Sequence, residues 1–170
     1  MGSKDEDFSE FAGARWLTLV RAAMALGCTA SEAEDLAQTT LLRAYVSWTK
    51  VAKADHRDAY VSRMLLNAHR DTHRRRWRRE TTVARMPDSP AHDTTAASDS
   101  ADALRRAVAQ LSQGQREVVA LRYYVRLTEP EIATVLGIAP GTVKSRLSRA
   151  LANLSHSPDL AEFGDTNEPR

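Results

Sequence analysis

At 170 residues, with 42% apolar and 6% aromatic content, the chain is long enough for one ordinary domain or two small ones with modest cores. Its apolar runs fall far short of the roughly 18 to 20 residues that a membrane span needs, and the acidic opening MGSKDEDFSE is no signal peptide, so we expect a cytoplasmic protein without membrane insertion. The lone cysteine, Cys28, excludes an internal disulfide and has no partner at metal-ligand spacing; it reads as a small buried residue in a reducing compartment.

The net charge of +2 hides an uneven distribution: residues 1–80 carry +3 and 103–155 carry +5, while 81–102 and 156–170 carry −3 each. Basic bodies joined by acidic connectors suggest two polyanion-binding modules on a strap. The expected architecture is all-α, with two small helical domains at 1–80 and 102–155, a flexible acidic linker at 81–101 and a disordered tail at 156–170. The strap, TTVARMPDSPAHDTTAASDSAD, offers only Val83 and Met86 as larger aliphatics, too little to repay chain entropy. By flexible-chain scaling its ends stand roughly 25 Å apart, so the flanking domains need not touch.

In chain order, Phe8, Phe11, Trp16, Val20, Ala23 and Met24 have the spacing of a first core helix. Ser31 with Glu34 reads as a capping box opening SEAEDLAQTTLLRAYVSW, in which Leu36, Ala37, Leu41 and Ala44 form a buried stripe and Asp35, Gln38 and Arg43 face solvent. In the next helix Val61, Met64, Leu65 and Ala68 continue the bundle, and from Arg70 to Arg79 six of ten residues are arginine. Such density calls for a compensating polyanion, and Trp77 within it offers a stacking face to unpaired bases; a disordered basic tail is the alternative. His69 and His73 flank Asp71 at i, i+4, but the glutamate of HExxH and a third ligand are missing, so they read as helix-surface histidines and no metal site is expected.

In LSQGQREVVALRYYVRL, Ser112 and Gln115 make a second box, Leu111, Val118, Val119, Leu121 and Leu127 supply core, and Tyr123 and Tyr124 read as packing residues. TEPEIATVLGIAPGTVKSRLSRAL then holds two helical patterns around one glycine. Thr128 and Glu131 form a box, Pro130 suits the first turn, Gly137 suits a left-handed stop, and Pro140 opens a helix with Val143, Leu147, Ala150, Leu151 and Leu154 on one side. Small Ala133, Gly137 and Val143 fit a helix-turn-helix, which places Ser145, Ser148 and Arg149 toward a DNA groove with Lys144 and Arg146 flanking for phosphates; Thr142, Lys144, Ser145, Arg146 and Arg149 are the candidate contacts to duplex DNA. A pair of amphipathic helices with merely solvated charges is the alternative. No nucleophile with a base, glycine loop or carboxylate pair suggests an enzyme, and no cofactor is expected.

LSQGQREVVALRYYVRLTEPEIATVLGIAPGTVKSRLSRAL resembles region 4 of the sigma-70 family, particularly its extracytoplasmic-function (ECF) group, which reads the minus-35 promoter element. DLAQ resembles the DLVQ stretch of sigma region 2.2, which docks on the clamp of the RNA polymerase largest subunit; that resemblance implies core-polymerase contacts at Asp35 and Gln38. YVSRMLLN and RRRWRRE resemble regions 2.3 and 2.4 in the actinobacterial SigE family and imply minus-10 contacts at Asn67, Arg70, Arg74 and Trp77. The resemblance further implies core polymerase, promoter DNA and an anti-sigma factor as partners. A free-standing helix-turn-helix regulator is the rival reading.

Overall fold

Helix α1 (Ser3–Ala25) buries Leu19, Val20, Ala22, Ala23 and Ala25, and its first turns bring Phe8 and Phe11 against Trp48 with ring centroids 5.2 Å apart. These assignments come from a computed structural model, which describes residues 2–82 and 99–161. Trp16 and Met24, expected in the core, stay 38% and 39% exposed, whereas Leu19, Val20, Ala22 and Ala23 form the buried face of the same helix. Gly27 ends the helix at φ 104°, a left-handed geometry that L side chains rarely adopt.

Helix α2 (Ala30–Val46) opens on Thr29 rather than on the expected Ser31. The Thr29 hydroxyl accepts the Glu32 N–H at 3.3 Å, and the Glu32 carboxylate accepts the Thr29 N–H at 3.0 Å. Both candidates have a glutamate three residues on; Thr29, extended just after the Gly27 stop, takes the first available start. Leu36, Ala37, Leu41 and Ala44 are buried as expected. Short α3 (Trp48–Ala52) seats Trp48, whose indole N–H reaches Asp7 at 3.1 Å. Helix α4 (Arg57–Thr82) buries Val61, Leu65, Leu66 and Ala68, and Arg15 forks Asp58 at 2.6 and 2.7 Å to tie α1 to its start.

The second half comprises α5 (Asp99–Ala109), α6 (Gln113–Val119), a π-helical turn Ala120–Tyr124, α7 (Glu129–Leu136) and α8 (Pro140–Ser155). Capping boxes at Ser112 and Thr128 form as expected, and Gly137 takes φ 66°, ψ 37° at the turn between α7 and α8. Val143, Leu147 and Ala150 are buried, whereas Leu151 stays 46% exposed. Tyr124 packs on the core, and Tyr123 is 51% exposed, turned outward by the wider π turn. Helix α4 continues to Thr82 and α5 begins at Asp99, so both intrude on the linker expected at 81–101; its centre, with Val83 and Met86, lies outside the described residues. The tail expected to be disordered from 156 begins with a 3-10 turn, Pro158–Leu160, where Asp159 accepts from Arg106 Nε at 2.7 Å.

The linker expectation left open whether the two halves touch. They are in contact: α7 packs on α4, the π turn packs on α1, and Leu19, Val118, Leu121 and Ile132 belong to one buried cluster. A linker that permits separation does not enforce it when both faces are apolar.

Candidate nucleic-acid and polymerase interfaces

In the helix-turn-helix, Val143 and Leu147 anchor α8 on α7, which turns Lys144, Ser148 and Arg149 to solvent. Thr142 and Ser145 are half-buried, and the Ser145 hydroxyl donates to the Thr142 carbonyl at 3.1 Å. Arg146 folds back over α6; a Cβ on Gly114 would stand 3.1 Å from its guanidinium carbon. The five residues expected at the minus-35 element thus share one helix but divide into exposed cations at 144 and 149 and a half-buried group at 142, 145 and 146. The Glu131 carboxyl is held below its ordinary range by the Thr128 N–H and hydroxyl.

On α4, Asn67, Arg70, Asp71 and Arg74 line one open depression, and Trp77 is 70% exposed further along. The arginine run carries its own counter-charges. Arg70 pairs with Glu117, Arg74 with Asp71 three residues earlier, and Arg76 with Glu32 at 2.6 Å. Three of the six arginines between 70 and 79 thus have a carboxylate partner among the described residues. Asp71 joins Asn67 and Arg74 in the depression, a placement that one helical turn of spacing could have disclosed.

Asp35 and Gln38 are both exposed on α2. Leu42 and Val46, 61% and 81% exposed, extend the same face at helical spacing and give it an apolar end. Just before α2, in a groove that Asp35 and Glu32 also line, the half-buried Cys28 thiol is pushed up to about 11, chiefly by burial and then by Glu32.

Two residues at the domain junction escaped the sequence reading. Glu117 is 3% exposed, and His69, expected on the surface, is 4% exposed with neither ring nitrogen hydrogen-bonded. Burial, with His73 adding to it, pushes the His69 imidazole down to about 4. His73 is exposed and meets His69 edge-on at 4.6 Å. Among the described residues no group of three or more His, Cys, Asp or Glu side chains is arranged to hold a metal ion.

Comparison with known proteins accords with this division. The family model described as Sigma-70 region 2 matches residues 15–79, and that described as Sigma-70, region 4 matches residues 101–154. The RNA polymerase sigma-E factor of Streptomyces coelicolor is 35% identical over 148 residues, covering 87% of this chain and 84% of that protein. The ECF RNA polymerase sigma factor SigL of Mycobacterium tuberculosis is 33% identical over 165 residues, covering 94% of this chain and 89% of its own length. Among solved structures, the sigma factor RpoE in complex with the anti-sigma factor NepR from Bartonella quintana superposes with a TM-score of 0.74 at 25% identity, over 92% of this chain and 99% of that one. The chain belongs to the sigma-70 family, in its extracytoplasmic-function group of RNA polymerase sigma factors.

Proposed function

We propose that this sigma factor initiates transcription through three surfaces. Asp35 and Gln38, continued by Leu42 and Val46, dock on the clamp of the polymerase largest subunit. Thr142, Lys144, Ser145, Arg146 and Arg149 engage the minus-35 duplex from α8, where Arg149 reads a base edge and Lys144 holds a phosphate. Asn67, Arg70, Arg74 and Trp77 take the minus-10 strand, the cations on phosphates and the indole against an unstacked base. Flipping a base from the duplex costs a few kcal/mol, and a site that binds only the open strand shifts the equilibrium toward melting by its affinity for that strand. No bond is made or broken by these residues; the chemistry is the polymerase's. The chain acts in the cytoplasm, and an anti-sigma protein, such as accompanies the RpoE chain of similar fold, restrains it.

The observation that carries this reading is the pairing of an exposed cationic face on α8 with an arginine-rich, Trp-bearing helix in a second domain of the same chain. The test is transcription of sheared actinobacterial genomic DNA by core polymerase with and without the protein, with the RNA 5′ ends sequenced. New starts sharing two spaced upstream elements are expected, and they should vanish with Asp35→Ala combined with Gln38→Ala. No new starts, together with dimeric binding to a palindrome, would overturn it in favour of a free-standing regulator.

A further inference from the structure

The second module does not end where its family match ends. That match stops at residue 154 and α8 stops at Ser155, but the chain then turns back and packs on α5, the first helix of the same module. The Ser157 N–H donates to the Leu154 carbonyl at 3.1 Å, and Ser157 itself is only 8% exposed. The 3-10 turn Pro158–Leu160 follows, with Asp159 and Leu160 half-buried. Asp159 Oδ1 accepts from Arg106 Nε, in the last turn of α5, at 2.7 Å.

Helix α5 depends on this turn. Its buried residues, Ala103, Ala107 and Val108, belong neither to the shared core nor to the small cluster of Leu111, Val119 and Ala150. Among the described residues, the 3-10 turn is the element on which α5 packs most extensively. With 11 residues, α5 is shorter than the roughly 12 to 15 at which isolated helices become even marginal in water. Removing the turn therefore releases α5 as chain. Arg106 is 56% exposed, so the buried side of the turn holds α5 more than the ion pair does.

The state of α5 sets the length of chain between the two modules. Between Thr82 and Asp99 the connection is residues 83–98, which span at most about 55 Å at full extension. With α5 released, the connection runs over 83–112 to the start of α6 and reaches about 100 Å. Promoter elements named for positions roughly 25 base pairs apart stand about 85 Å apart along B-form DNA. The shorter connection needs the dimensions of both modules to complete that span and leaves little slack. The longer one exceeds it alone.

We propose that residues 157–160 form a clip that fixes α5 and thereby sets the spacing between the two promoter elements that this chain accepts, with Arg106 and Asp159 as positioning residues. The proposal rests on the assignment of α8 and α4 to those elements. A tether near its limit penalises every misplaced site, whereas a slack one tolerates several.

The test compares the full chain with one ending at His156, which keeps all of α8 and the whole region 4 match. Each is followed by hydrogen exchange at the α5 amides and by transcription with core polymerase from promoters whose spacer is changed one base pair at a time. In the full chain α5 should be protected, and output should fall about ten-fold within about two base pairs of the best spacing. In the shortened chain α5 should exchange at least about ten-fold faster, and output at those spacings should recover to within about two-fold of its best. Asp159→Arg should shift both readouts the same way by less, and it serves as the probe if circular dichroism shows the shortened chain unfolded. Asp159→Glu keeps the charge and should match the parent in both. Unchanged exchange at α5 would overturn the clip, and faster exchange with an unaltered spacing profile would overturn its role in spacing. If the full chain initiates at no spacing, that role falls together with the promoter surfaces proposed above, while exchange at α5 still decides whether the clip exists.

Discussion

Helices α4 and α8 are both cationic and both assigned to DNA, yet their charges have different surroundings. Three arginines of α4 face carboxylates of the same chain: Glu117 from α6, Asp71 from α4 itself and Glu32 from α2. On α8, Lys144 and Arg149 face solvent. Each of these three arginines must exchange a partner to bind DNA, whereas Lys144 and Arg149 have only water and counterions to release. The identity of the cation matters less than what the fold has set against it.

Breaking the α4 side of this contrast should have the largest effect. Arg70→Ala strands Glu117; loss of one member of a buried pair costs about 3 to 5 kcal/mol, and with Arg70 itself 42% exposed we expect about 3. Chemical denaturation should show it, with the two domains no longer unfolding in one transition. His69, beside the same pair, gives a pH dependence of similar size. Its imidazole titrates near 4 in the fold against 6.5 in the unfolded chain, so below pH 6.5 the unfolded state binds the proton better. The stability from keeping it neutral is complete above pH 6.5 and is lost as pH falls toward 4, by up to about 3 kcal/mol. Urea titrations from pH 7 to 4 should show a steeper decline for the parent than for His69→Leu; equal slopes would remove His69 as the cause.

On the α8 side, Arg149→Ala should leave stability within about 0.5 kcal/mol but relax preference at one or two minus-35 base pairs by about 1 to 3 kcal/mol, read by competition binding. Equal loss on all sequences would make Arg149 a phosphate contact instead. Ala139 leaves α8 without a side-chain cap, so Ala139→Ser should raise the melting temperature, worth about 1 kcal/mol. The smallest effect is expected of Lys144→Ala, which should lower the salt slope of DNA binding by about one unit without altering preference; an unchanged slope would exclude a backbone contact.

Much of this arrangement was legible before any coordinates. Thr128, Glu131, Pro130, Gly137 and Pro140 specify a helix, a left-handed stop and a second helix through interactions within a few residues, and those are the elements observed. Ser31 misled because Thr29 carries the same local signal two residues earlier, and the choice depended on where α1 ended. His69 misled because an isolated helix gives no indication of which protein surface will cover it.

The sequence by itself determined the helices, their caps, the helix-turn-helix and the order of the two modules, because periodicity and capping act over one or two turns. Only the tertiary structure decided that the domains close on each other, that Glu117 and His69 are buried, and that Arg70 faces a carboxylate 47 residues away. Such pairings depend on which apolar faces meet, and that choice is made by the burial of distant surfaces together rather than by any segment alone.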